Sequence, residues 1–287
     1  MKKIILGKTG LEITPIFYGG IVSMNDGQEN SDKYVEYAIK KGINYFDIAP
    51  SYGDAQEKLG NSLVPYRKEI FLACKTMKRG LEEGKAEFEK SIEMLHTDHF
   101  DVYQMHSLFN VEDLENAMKD DGIFNFMLKM KEEGVVKNLG VTCHSEEAAV
   151  RALELYDFDT VLFPLNWGLD MAKGFGSKIS EKAKEKNVGL LGMKSMIHRA
   201  WIDQDEKAGS RFPKSWCKPF CDQDELCIAA MKYSMQKLGA KALVPPGNIE
   251  SFTFAVENID KILEPLTDKD MALLKSELAN IDGHYFF

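Results

Sequence analysis

Asp47, Tyr52, Lys75 and His106 are the side chains on which chemistry can be built. The run Ile43 to Ile48 is β-branched and aromatic, as a strand buried on both faces should be, yet it contains Asp47, a carboxylate that a parallel-sheet interior excludes unless it is paired. Tyr52 lies in the loop beyond, broken by Pro50 and Gly53, while Lys75 follows the apolar run Ile70–Cys74 and His106 follows Phe100–Met105. A carboxylate, a phenol, an ammonium and an imidazole brought to one place can hold and move protons. A lysine beside a carboxylate can also be a Schiff-base nucleophile, as in a barrel aldolase, with Asp47 shuttling protons. That alternative has no evident task for Tyr52 and His106 together. Each residue also has a plain structural role open to it: Lys75 neutralising Asp47, Tyr52 packing on a loop, His106 bonded in the core.

The elements that must position these four are legible as a repeated unit. Short apolar runs recur at Ile16–Gly19, Ile43–Ile48, Ile70–Cys74, Phe100–Met105, Val135–Val141, Thr160–Phe163, Val188–Gly192 and Ala242–Val244. Between them lie segments with apolar residues three and four apart, such as Tyr34, Val35, Ala38 and Ile39 before Gly42, or Ala148, Ala149, Ala152 and Leu153 after a cap at Ser145. Strand then helix, eight times, with no linker or composition break over residues 1–287, predicts an α/β chain folded as one (β/α)8 (TIM) barrel domain. Lys3–Leu6 and Leu11–Thr14 around Gly7-Lys8-Thr9-Gly10 predict a short N-terminal β-hairpin before it. A dinucleotide-binding open sheet would need G-x-G-x-x-G after its first strand; the first run here leads into Gly19-Gly20-Ile21-Val22-Ser23 instead. On a barrel the carboxyl ends of the strands share one mouth, so the four residues would meet there.

The formal net charge of −9 argues against nucleic-acid and anionic-membrane partners and points to a small-molecule ligand. No apolar stretch approaches the ~20 residues of a membrane span, and the run after Met1-Lys2-Lys3 ends at Leu6, too short for a signal-peptide core, so a cytoplasmic protein is expected. Cys74, Cys143, Cys217, Cys221 and Cys227 are odd in number and scattered, as reduced thiols would be. The spacing of the last three matches no zinc or iron–sulfur pattern, and the clustered His96, His99 and His106 make a poor ligand set, so no metal is expected.

The stretch GINYFDIAPSYGDAQEKLGNSL, the pair Cys74-Lys75 and the segment MLHTDHFDVYQMH closely resemble the aldo-keto reductase family, and the likeness continues through EEGVVKNLGVTCHS to VENI. The resemblance implies reduction of an aldehyde or ketone by hydride from NADP(H) or NAD(H), with Tyr52 as general acid assisted by Lys75, Asp47 and His106. A phenol of pKa ~10 needs a nearby cation to release its proton easily, and a buried lysine needs a carboxylate to stay charged. The resemblance further implies a cofactor held after the first strand by Gly20 and Ile21, after the fifth by Thr142 and Cys143, and after the seventh by Met193, Lys194 and Ser195. After the eighth it implies Gly247 and Asn248, with Glu257-Asn258 at the adenine. A slow cofactor-sensing or regulatory protein of the same fold is the alternative that the resemblance also permits.

Several positions depart from the family pattern. Thr142-Cys143 replace a Ser-Asn pair, Leu162 takes the place of a glutamine with Asn166 nearby as a substitute, and Met193 replaces an aromatic that stacks on the nicotinamide. The long segment from Met196 to Phe220 is expected to fold over the cofactor, with Arg211 or Lys214 reaching its pyrophosphate. Trp167 and Trp201 are expected to wall an open, shallow substrate pocket, because little chain remains after the final helix near Thr267. Val244 to Asn258 contains no Lys or Arg, only Lys241 standing near, which predicts weak discrimination between NADP(H) and NAD(H).

Overall fold

The computed structural model describes every residue except Cys221, Asp282 and Phe287. The N-terminal hairpin pairs β1 (Ile4–Ile5) with β2 (Glu12–Ile13). The barrel follows as β3 (Tyr18–Gly19), β4 (Tyr45–Asp47), β5 (Phe71–Thr76), β6 (Phe100–Leu108), β7 (Val136–Cys143), β8 (Thr160–Pro164) and β9 (Gly189–Met193). Two short strands, β10 (Ile197–Arg199) and β11 (Lys218–Pro219), pair with each other in the segment after β9, and β12 (Ala242–Val244) completes the barrel. Eight parallel strands run β3-β4-β5-β6-β7-β8-β9-β12. The ring is closed by a parallel bridge between Ile16 and Leu243, with Phe17 N donating to Leu243 O at 3.1 Å and Leu243 N to Pro15 O at 2.9 Å.

The two-residue period of the strands sorts their side chains into two cores. Outward residues such as Phe46, Leu72, Cys74, Tyr103 and Met105 pack under the helices. Inward residues Phe17, Tyr45, Ala73, Val102, Leu162, Leu191 and Ala242 fill the barrel, with Leu6 and Ile13 of the hairpin sealing its amino end. The hairpin is seated closely: Gly7, at φ +53°, lies against the Val188–Gly189 backbone where a Cβ would come within 2.3 Å of Gly189 N. At the other end of the ring the same phase that buries Tyr45, Ala73 and Val102 brings Asp47, Lys75 and Gln104 inward one layer higher.

Several helices begin at a capping side chain. Ser145 accepts from Ala148 N at 3.2 Å, and Thr267 and Asp270 form a reciprocal capping box on Asp268–Leu278. The helical stretch before Gly134 is divided into Val111–Met118 and Ile123–Glu132, with Gly122 packed against the backbone of Ala117 between them. Residues 196–220 are a folded strap. Besides β10 and β11 it contains the turn of helix Gln204–Ala208, and its hub is Glu206, which accepts from Arg199 at 2.6 and 3.0 Å, Lys218 at 2.6 Å and Ile202 N at 2.8 Å. The chain after the last helix does not stay clear of the mouth, as its shortness predicts: Ala200 N donates to His284 O at 2.8 Å, and Lys194 lies 4.9 Å from the Phe286 ring centre.

Candidate active site

Strand register alone aligns Asp47 with Ala73, and Lys75 with Gln104. Lys75 is fully buried and its ammonium forms an ion pair with Asp47 Oδ1, while it also donates to Ile48 O at 3.3 Å. The second oxygen of Asp47 accepts from Gln104 Nε2 at 3.0 Å. Gln104 is a polar side chain in phase with Lys75 that sequence inspection passed over; the signal was its place two residues before His106. Gly140 on β7 makes room for it, since a Cβ there would lie 3.1 Å from Gln104 Cγ and 2.2 Å from Thr160 Oγ1.

Tyr52 covers this pair from the loop after β4, its ring centre 5.2 Å from the Lys75 ammonium. His106 meets the same ring edge-on, 5.7 Å between centroids, with Nδ1 3.5 Å from Ser51 Oγ. Its strand does not end there. β6 runs on to Leu108 through a bulge between Met105 and Leu108, in which Ser107 takes φ +55°, and a bulge at this point re-aims the imidazole. Thr142 Oγ1 accepts from Ser107 N at 2.7 Å and Arg79 donates to His106 O at 2.8 Å while its guanidinium is fixed twofold by Asp113, both at 2.7 Å. Thr142 and Arg79 thus hold the bulge that holds His106; Arg79 was not foreseen.

Burial decides the protonation states. It raises the Tyr52 phenol above its ordinary value, because desolvation outweighs the opposing pull of Lys75. The expected lowering by Lys75 therefore operates without prevailing. Burial alone would lower Lys75, but Asp47 and Tyr52 more than offset it and the ammonium is raised. Desolvation, with the charges of Lys75, His144 and Arg79, drives His106 well below the usual imidazole value. Near neutrality the site therefore holds a protonated phenol, a charged lysine and a neutral imidazole. A lysine kept protonated and buried is a poor Schiff-base nucleophile.

Tyr52 and Asp47 line a cleft whose other walls are the loops after β3, β9 and β12 and the strap. Ile21, Met193, Lys194, Leu162 and Gly247 line it. Gly20 packs beneath, where a Cβ would fall 2.1 Å from Ile48 Cδ1, and Gly247 lets Ile21 come equally close. Ser195 and Asn248 are buried behind their neighbours, and Ser195 Oγ and Asn248 Nδ2 find no partner among the described residues. Polar groups stranded on two segments that wall the cleft fit a ligand carrying amide, hydroxyl or phosphate groups, as a nicotinamide dinucleotide does.

Other expected positions lie elsewhere. Cys143 is wholly buried and burial raises its thiol. Asn166 caps the helix Trp167–Lys173 and donates to Lys194 O and Ile197 O, so its amide is not free to replace a glutamine. Glu257 pairs with Tyr37 at 3.3 Å and Lys41 at 3.8 Å, and Asn258 bonds to Phe254 O, both at the far end of the helix Ile249–Glu257. Lys241 precedes β12 at the amino end of the barrel. Lys214 spans instead to the loop after β3, donating to Val22 O and Met24 O at 3.1 Å each and to Asp26 at 2.7 Å. Arg211 stands between Asp222 at 3.0 Å and Glu250 at 3.2 Å.

The tryptophans are also reassigned. Trp167 is fully buried against Phe220, and Trp201 donates to Ser215 O at 3.0 Å, so both support the strap; Trp216 is the one in the cleft. Of the three clustered cysteines, Cys217 lines the cleft, Cys227 is buried in the helix Asp224–Gln236 and Cys221 lies outside the described residues. Among the described residues no three His, Cys, Asp or Glu side chains are grouped as a metal ion requires, and no helix is long and apolar enough to cross a membrane.

The sequence model of the aldo/keto reductase family matches residues 3–242. A probable aldo-keto reductase of Glycine max is 26% identical over 236 residues, 72% of this chain and 66% of that protein. The protein REDOX 2 of Catharanthus roseus is 28% identical over 182 residues, 56% of this chain and 54% of its own; that match spans about half the relative's length. Among solved structures, an aldo-keto reductase of Bacillus halodurans superposes with a TM-score of 0.71 at 17% identity over 96% of each chain. Another, from Brucella melitensis, gives 0.65 at 18% identity over 96% of this chain and 98% of its own.

Proposed function

The chain belongs to the aldo/keto reductase family, an assignment that supports an oxidoreductase, and from that premise we propose that it reduces the carbonyl group of a small aldehyde or ketone to an alcohol. The observation that carries this reading is the buried Asp47–Lys75 pair beneath the Tyr52 phenol, with the neutral His106 at the phenol's edge. The loops after β3, β9 and β12, through Ile21, Met193, Lys194 and Gly247, would hold a nicotinamide cofactor, which when bound would supply the hydride. The carbonyl oxygen becomes an alkoxide as its carbon is reduced, and Tyr52, protonated near neutrality, gives it the proton. Lys75 then faces a phenolate, whose charge its ammonium stabilises until solvent restores the proton. Asp47, braced by Gln104, keeps Lys75 charged, and His106 donates one N–H to the carbonyl oxygen and orients it. Replacing Tyr52→Phe tests the assignment: turnover should fall by roughly 10²–10⁴-fold with the fold intact, the range for a positioned acid. Near-normal turnover would remove Tyr52 from the reaction.

We infer a cleft site for the cofactor that tolerates both NADPH and NADH. The helix Ile249–Glu257, where a 2′-phosphate is expected, holds no basic residue of its own. The strap brings Arg211 to it, yet Glu250 and Asp222 share that one guanidinium, so a dianionic phosphate meets a net negative cluster.

A further inference from the structure

Trp216 is 63% exposed, although its ring centre lies only 6.3 Å from that of Tyr52 in the same cleft. An indole left in water on a wandering loop would need no explanation. This one stands on fixed backbone: two residues earlier the Lys214 ammonium is held by three acceptors on residues 22–26, Trp201 Nε1 holds Ser215 O, and Ser215 Oγ donates to Cys217 O at 2.6 Å. An aromatic face carried on anchored backbone beside the proton donor has its loop's ordering cost met before any ligand arrives. Met77 and Phe109, 47% and 60% exposed, follow β5 and β6 and line a separate depression with Arg79 and Ser107, so Trp216 is the exposed large aromatic of the Tyr52 cleft among the described residues. We propose that Trp216 is a specificity-determining residue that selects carbonyl compounds whose carbonyl is conjugated to a flat aromatic ring, by stacking that ring on its exposed face.

This rests on the reductase reading above, and the test separates the two. Benzaldehyde and cyclohexanecarboxaldehyde are nearly equal in size and differ in having a π face. The ratio of their kcat/KM values in wild type, divided by the same ratio in a variant, cancels their intrinsic reactivities. Trp216→Leu should lower the aromatic-to-saturated ratio about 2- to 12-fold, the worth of one ring–ring contact beyond its burial, and Trp216→Phe should largely keep it. An unchanged ratio in Trp216→Leu overturns the proposal, and so does an equal loss in Trp216→Phe, which would make the indole's bulk rather than an aromatic face the cause. The same ratio taken from dissociation constants by calorimetry, in a Tyr52→Phe background with and without Trp216→Leu, needs no turnover. If neither aldehyde is reduced, the reductase reading fails while the stacking proposal stands or falls on those constants.

Discussion

Lys75→Met is the perturbation that most directly tests how the barrel mouth is built. Methionine nearly matches the lysine's length, so packing is largely preserved, and what is lost is the ammonium facing Asp47 and Tyr52. In the structure Asp47 is 3% exposed, with one oxygen on Lys75 and the other on Gln104. Without Lys75 a buried carboxylate keeps a single neutral donor, and breaking a buried pair by deleting one partner costs about 3–5 kcal/mol. At ~2–4 °C per kcal/mol for a chain of this size the thermal midpoint should fall by roughly 6–20 °C. Adding Asp47→Asn to Lys75→Met should recover part of the loss, because the amide needs no counter-charge, giving a coupling energy of about 1 kcal/mol or more in the double-mutant cycle. Scanning calorimetry of wild type, both single variants and the double variant measures all four corners. Additive effects, or a midpoint in Lys75→Met within 2 °C of wild type at ~0.5–1 kcal/mol, would refute the pairing as the reason these residues are buried together.

The raised Tyr52 and depressed His106 values give a pH signature: carbonyl reduction should be flat from about pH 6 to 9, whereas alcohol oxidation, which needs the phenolate, should keep climbing past the ordinary phenol value of 10.0. An oxidation plateau near pH 8 would contradict it. His144, pushed down to about 4 by burial and then by the charge of Lys194, is neutral when folded but takes a proton when unfolded below its usual 6.5. Its contribution is therefore present above pH 6.5 and lost on acidification toward 4, about 2 kcal/mol by pH 5. Urea midpoints at pH 7 and 5 should show that decline shrinking in His144→Gln, and an equal decline in the variant would argue against it. For the cofactor, dissociation constants from fluorescence quenching should differ between NADPH and NADH by less than about 100-fold, ~2.7 kcal/mol; a stronger NADPH preference would mean that Arg211 is released from its carboxylates to bind the phosphate.

What the sequence determined by itself is what local patterning can encode. Period-two apolar runs and three-and-four-spaced helices are properties of neighbouring residues, so the order of elements and the barrel were legible. So was the grouping of Asp47, Tyr52, Lys75 and His106 toward the carboxyl mouth, because a charged or polar residue is conspicuous in or just after an apolar run, although β5 and β6 continue past Lys75 and His106. The tertiary structure alone decided the rest, since each remaining feature is a contact between distant segments. The bulge that aims His106 depends on Thr142 and Arg79, from strands and loops on either side of it. Asn166 read as a free amide because its partners at Lys194 and Ile197 are some thirty positions away. Lys214 and Arg211 read as cations for a phosphate until Asp26 and Glu250 were seen to face them. Which tryptophan meets Tyr52 could not be read from composition: the strap turns Trp201 onto Ser215 and Trp216 into the cleft, and its course is set by the Lys214 latch, nearly two hundred residues from its acceptors.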